Sequence, residues 1–238
     1  MPKTHAVRNT EITEIMYSEE HWKLLRSKRD KGVSILTFLS HHGLNPFIFG
    51  SVARGDVHKD SDVEIVVTNH KALSQIELLL LNNFNLEEKI IVMATPRSAP
   101  KVYFNINLEV TVAVPAVPLN KSEYEFYSFG GKIQLPEAAD FRKRVPGVNK
   151  KLCLVLPTRY GHKEYSIIGR ESEVARILGI SIQTVIERET MLLRRRRAGR
   201  AGVFLKVYLE PYESTEKELT KLQDSNPAVR RLLRERGI

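Results

Sequence analysis

The groups best suited to chemistry in this 238-residue chain lie between residues 50 and 64. An apolar stretch, Phe47-Ile48-Phe49, runs into Gly50-Ser51-Val52-Ala53-Arg54-Gly55-Asp56. Ser61-Asp62-Val63-Glu64-Ile65 follows. In a strand, side chains two apart share a face. Asp62 and Glu64 are therefore expected to project together, while Val63, Ile65 and Val67 face the core. Adjacent carboxylates repel unless a cation lies between them, and hard oxygen ligands suit Mg²⁺ or Mn²⁺. The small Gly-Ser turn ahead of them offers backbone N–H groups of the kind that bind phosphate oxygens. A phosphate cradle beside metal-binding carboxylates points to nucleotide chemistry.

The Gly50-Ser51 turn, Arg54-Gly55 and the Asp62-x-Glu64 pair resemble the signature of the DNA polymerase beta-like nucleotidyltransferases, in particular the minimal domains of archaea and bacteria. The resemblance spans roughly residues 30 to 115 and departs from the family in one respect. The second carboxylate is more often Asp, and here it is Glu64, whose extra methylene moves the oxygens further out. What the resemblance implies is in-line attack of a hydroxyl on the α-phosphorus of a nucleoside triphosphate. Asp62 and Glu64 would hold the metal, and Gly50 and Ser51 the β- and γ-phosphates. It also implies a third carboxylate on a neighbouring strand. Residues 101–112 alternate as one continuous strand, with Glu109 on its polar face, and this is where that acid should fall. Arg54 is read either as a further phosphate contact or as the ion-pair partner of Asp56 or Asp60.

The elements that must position these groups are legible in outline. A helix starts at Ser18-Glu19-Glu20 and runs to about His41, stopping at Gly43. Strands are expected at 47–49, 63–67, 88–94 and 101–114, and a helix at 71–83. Residues 136–144 read as a short helix running into a linker. The fold expected is α+β: a nucleotidyltransferase-type mixed sheet flanked by helices over residues 1–118, then a linker over 119–150. A winged-helix-like domain follows over 151–210, and a helical tail over 211–238.

Charge sets the second half apart. The chain carries a net +9, yet residues 1–140 hold 15 Lys and Arg against 17 Asp and Glu, and residues 141–238 hold 22 against 11. A basic half of this kind commonly meets nucleic acid. Glu171 to Arg188 follow a helix-turn-helix pattern: Val174, Ala175 and Leu178 on one face, Gly179 at the turn, Ser181 as cap of the second helix. Gln183 and Thr184 are then expected to face a major groove. Arg188, the run Arg194-Arg195-Arg196-Arg197 and Arg200 would meet phosphates. The strand-like stretch after Gly199 and Gly202 would supply the wing. A helical hairpin used for packing or dimerisation is the alternative. Asn226-Pro227 begins a last helix that could dock, dimerise or extend the basic surface.

The expected partners are a nucleoside triphosphate and nucleic acid, DNA more than RNA, with a homodimer compatible with the winged-helix pattern. A regulator with an inactive or sensory nucleotidyltransferase domain is the competing expectation. The single cysteine, Cys153, excludes an internal disulfide, and no apolar run approaches the ~20 residues of a spanning helix. Both fit a cytoplasmic location.

Overall fold

The computed structural model describes residues 11–68, 72–199 and 202–237. Along the chain these form β1 (Thr13–Met16), α1 (Glu19–His41), β2 (Pro46–Phe49), α2 (Ser51–Arg54), β3 (Val63–Val67), α3 (Leu73–Asn83) and β4 (Glu88–Met93). β5 (Lys101–Asn107), β6 (Val110–Pro115), α4 (Lys121–Gly130), β7 (Lys132–Ile133), a 3-10 turn at Glu137–Ala139 and β8 (Gly147–Val148) come next. β9 (Cys153–Thr158), β10 (Gly161–Ser166), α5 (Glu171–Leu178), α6 (Ile182–Ala198), β11 (Leu205–Leu209), α7 (Thr215–Ser225) and α8 (Pro227–Glu235) complete an α+β architecture. Among the described residues no helix is long and apolar enough to cross a membrane.

The chain condenses into two compact units, neither of them continuous in sequence. The first takes described residues from 11–38, 47–63 and 121–199; the second takes 39–46, 64–68, 72–120 and 202–237. The units change over after residues 38, 46, 63 and 120 and again between 199 and 202, and the change after 120 lies close to the expected boundary at 118.

In the first unit β1, β10, β9 and β8 form an antiparallel sheet in that order. Its apolar side, with Leu152, Leu154, Tyr165 and Ile167, packs with Phe129 and with Val174, Ala175 and Val185 of the helix pair α5–α6. β2 pairs separately with β7 through Ile48 and Phe49. Arg29 on α1 is fully buried and donates to the Val52, Ala53 and Lys143 carbonyls, which ties α2 and the 140s segment to the helix.

In the second unit the strands stand in the order β11-β4-β5-β6-β3. Alternation is plain in β4, where Lys89, Ile91 and Met93 are buried and their neighbours half-exposed. Lys89 is the unusual member. Its ammonium meets the Glu77 carboxylate of α3 and the Glu213 carbonyl, and Glu77 also accepts from the Thr215 N–H and hydroxyl. Asn226 caps α8 by accepting from the N–H groups of Ala228 and Val229, with Pro227 at the first helical position. The apolar stripe of α8, Val229, Leu232 and Leu233, is buried with Met93, Ala99 and Val117, so the tail docks within this unit.

Candidate active site

β2 delivers Gly50 in a conformation open only to glycine among common residues, φ 83° and ψ −143°. A side chain built there would meet nothing within 4 Å, so the space above its Cα is open. The Gly50 N–H donates to the Gly131 carbonyl at 2.9 Å, which fixes the turn. One helical turn, α2, follows and ends in Gly55 at φ 101°. Ser51 opens that turn half-buried, and its hydroxyl has no hydrogen-bond partner among the described residues.

Arg54 resolves the open alternative in favour of the ion pair. It is 6% exposed, lies 3.0 Å from the Asp56 carboxylate and donates to the Gly130 carbonyl. Its guanidinium is committed to holding α2 in place, so the expected phosphate contact is withdrawn.

Asp62 is exposed immediately before β3, Val63 is buried, Glu64 is half-buried and Ile65 is buried. The alternation read from the sequence is therefore present along this segment. Asp62 belongs to the first unit and Glu64 to the second. Within the second unit Glu64 acts on Tyr103 of β5: burial and the Glu64 charge together push the phenol well above its ordinary range.

Glu109 requires a correction. Residues 101–114 are not one strand but two, β5 and β6, joined by a turn at Leu108 and Glu109. Asn107 makes that turn, its side-chain oxygen accepting from the N–H groups of Glu109 and Val110 at 2.9 Å each. Glu109 thus stands exposed at a hairpin tip rather than mid-strand, and neither β5 nor β6 carries another acid. The polar face of these strands holds a different set, which sequence reasoning misses. Thr111 donates to the Asn105 side chain at 2.9 Å, and Asn105 donates to Glu88 on β4 at 3.1 Å. The alternation of Asn105 and Thr111 with apolar neighbours signals the face they share, but not their partners.

Among the described residues no three His, Cys, Asp or Glu side chains come together as a ready-made metal site. Asp62 and Glu64 can still fit Mg²⁺, because that ion is usually held by one or two carboxylates, with water and substrate phosphates completing the shell.

Helices α5 and α6 meet at Gly179, which lies in the left-handed region at φ 64° and ψ 36°. The Ser181 hydroxyl caps α6 by accepting from the Thr184 N–H at 3.3 Å. Three of the contacts expected of this helix pair change. Thr184 is 2% exposed and donates its hydroxyl to Glu125 of α4, as does Ser181, so it faces inward and not a groove. Arg188 lies 4.3 Å over the Phe126 ring, and burial, then Arg195, hold its guanidinium down at about 10. Arg196 donates to the Lys150 carbonyl at 2.9 Å. Gln183, Arg194, Arg195 and Arg197 are exposed, and Arg200 lies outside the described residues. Glu189 of α6 meets Glu171 of α5; burial and that neighbour push its carboxyl up to about 7.

The expected wing is also corrected. β11 belongs to the second unit, where it pairs antiparallel with β4, Val207 opposite Ile91. No protein-family model matches the chain, and no curated protein matches it.

Proposed function

We propose that this chain is a metal-dependent nucleotidyltransferase that moves a nucleoside monophosphate from a nucleoside triphosphate to an acceptor. The observation that carries the reading is the run from β2 through Gly50 and α2 to Asp62 and Glu64. Gly50 leaves open space above its Cα, Ser51 offers a hydroxyl without a partner among the described residues, and two acids leave the core at the start of β3. Asp62 and Glu64 hold the divalent cation, Mg²⁺ or Mn²⁺. Gly50 lets the triphosphate approach its backbone, and Ser51 donates to a phosphate oxygen. When bound there, the cation would supply charge neutralisation for the phosphates. Glu109, at a hairpin tip, is left out of this set.

The test is incubation with each α-³²P nucleoside triphosphate, Mg²⁺ or Mn²⁺ and cell extract. Wild type should move label to a macromolecule, and Asp62→Ala or Glu64→Ala should lose on the order of 10²-fold or more in rate, as loss of charge stabilisation in an active site generally does. Equal labelling by wild type and both variants would sink the assignment.

The exposed position of Glu109 and the ion pair of Arg54 favour one second reading. Here the same turn senses a nucleotide without reacting, and the chain regulates by binding nucleic acid. Its mark would be triphosphate binding to wild type with no label moved, together with duplex binding that weakens steeply with salt.

A further inference from the structure

Residues 142–145, within the stretch expected to be a linker, line a cavity of about 390 Å³ in the first unit. Arg142, Lys143, Arg144 and Arg159 face it, against one carboxylate, Glu137. The arginines are stacked on aromatic rings. The Arg142 guanidinium lies 5.1 Å from the ring centre of Trp22, and that of Arg144 lies 4.9 Å from the same ring. Arg26 lies 4.3 Å from Phe141. Arg144 is fixed further by donating to the Thr158 and Gly161 carbonyls, and Arg29 reaches the Lys143 carbonyl from behind. Carbonyls and rings orient these cations but do not neutralise them. Among the described residues no carboxylate lies within 4.0 Å of Arg29, Arg142, Lys143, Arg144 or Arg159. Crowded cations in a concave site raise the local potential and draw anions. Burial, then the Arg144 charge, hold Arg29 down at about 10, against the pull of the Asp140 carboxylate.

The chemistry of the rim narrows the anion. Arg159 lies 5.3 Å from the ring centre of Tyr160, and that ring is 56% exposed at the β9–β10 turn. Guanidinium groups for phosphates next to an exposed ring for bases is how proteins track a single strand. We infer that this cavity binds the backbone of a single-stranded nucleic acid, with phosphate oxygens on Arg142, Lys143 and Arg159 and a base stacked on Tyr160. The site goes beyond the transfer reading and uses neither Asp62 nor Glu64, so either can stand without the other.

Trp22 is the chain's sole tryptophan and lies against two of the arginines, so it reports on the site directly. The full chain is titrated with a labelled single strand of about ten nucleotides, within the span such grooves cover. The matching duplex and inorganic triphosphate serve as comparisons. Anisotropy gives affinity, and Trp22 emission gives place. The single strand should bind most tightly, shift Trp22 emission and weaken with salt. The exposed-residue variant Arg142→Ala/Arg159→Ala should bind on the order of tenfold or more weakly, since it neutralises fewer phosphates and so releases fewer counterions. Tyr160→Phe should keep affinity that Tyr160→Ala loses. Lys217→Ala on α7, a residue of neither site, should bind as wild type. Preference for the duplex or for inorganic triphosphate, binding that leaves Trp22 emission unmoved, or an unchanged affinity in the Arg142/Arg159 variant would each overturn the inference.

Discussion

Two clusters of buried charge, one in each unit, are settled in opposite ways. In the second unit Lys89 is fully buried, but it faces a carboxylate, Glu77, whose remaining oxygen valence is filled by Thr215. In the first unit Arg29 is as deeply buried, donates to carbonyls alone, and feels the Arg144 charge more strongly than the opposing Asp140 carboxylate. A compensated pair costs desolvation but leaves no field, and its role is to fix which segments meet. An uncompensated cluster leaves a field that something outside the chain can use. Burial alone therefore does not separate architecture from function; the sign of the partners does.

The comparison can be broken most sharply at Lys89. Lys89→Met strands the Glu77 carboxylate and should destabilise the chain by about 3–5 kcal/mol in urea unfolding, with Lys89→Met/Glu77→Leu recovering part of that loss. A small effect from the single change would mean the pair is not the clamp it resembles. Arg29→Met should cost less, about 1–3 kcal/mol, because it leaves carbonyls short of donors but also removes a buried charge and its repulsion of Arg144. A loss as large as that at Lys89 would erase the distinction.

The smallest effect concerns like charges of the other sign, Glu171 and Glu189 in the helix pair. Folding raises the Glu189 carboxyl from the ordinary 4.5 to about 7, so the folded helix pair favours its protonated form. The stability it adds is fully present below about 4.5 and is lost as pH rises through 7. Melting temperature followed from pH 5 to 8 should fall for wild type and fall less for Glu189→Gln. Identical slopes would show that the two acids do not feel each other.

Local signals are legible in this sequence, and long-range ones are not. Gly179 and Ser181 identify the turn between α5 and α6 because a left-handed turn and a cap are properties of a few consecutive residues. The extent of α1 and the Gly50 turn are legible for the same reason. Glu109 is misplaced by pattern because the Leu108-Glu109 turn spans two residues, so the alternation of β5 continues in phase through β6 and imitates a single strand. The strand character of 205–209 is legible too, but nothing in its residues names β4 as its neighbour. The cavity reads as a linker because Arg142-Lys143-Arg144 has no period; its meaning comes from Trp22 and Phe141, which sit in other parts of the chain or look unremarkable beside it.

β1 pairs with β10 across nearly the whole first unit, Thr13 opposite Glu164 and Met16 opposite Gly161. During synthesis the first strand must therefore wait, unpaired, until the ribosome has delivered the other. Pairings this far apart in sequence close late and slowly. A chain halted near residue 150 would carry the Gly50 turn and Asp62 but lack β9, β10, α5 and α6, and so most of the sheet and the helix pair of the unit that holds them. The first half of this protein is thus not a module that folds ahead of the second; the two halves become structure together.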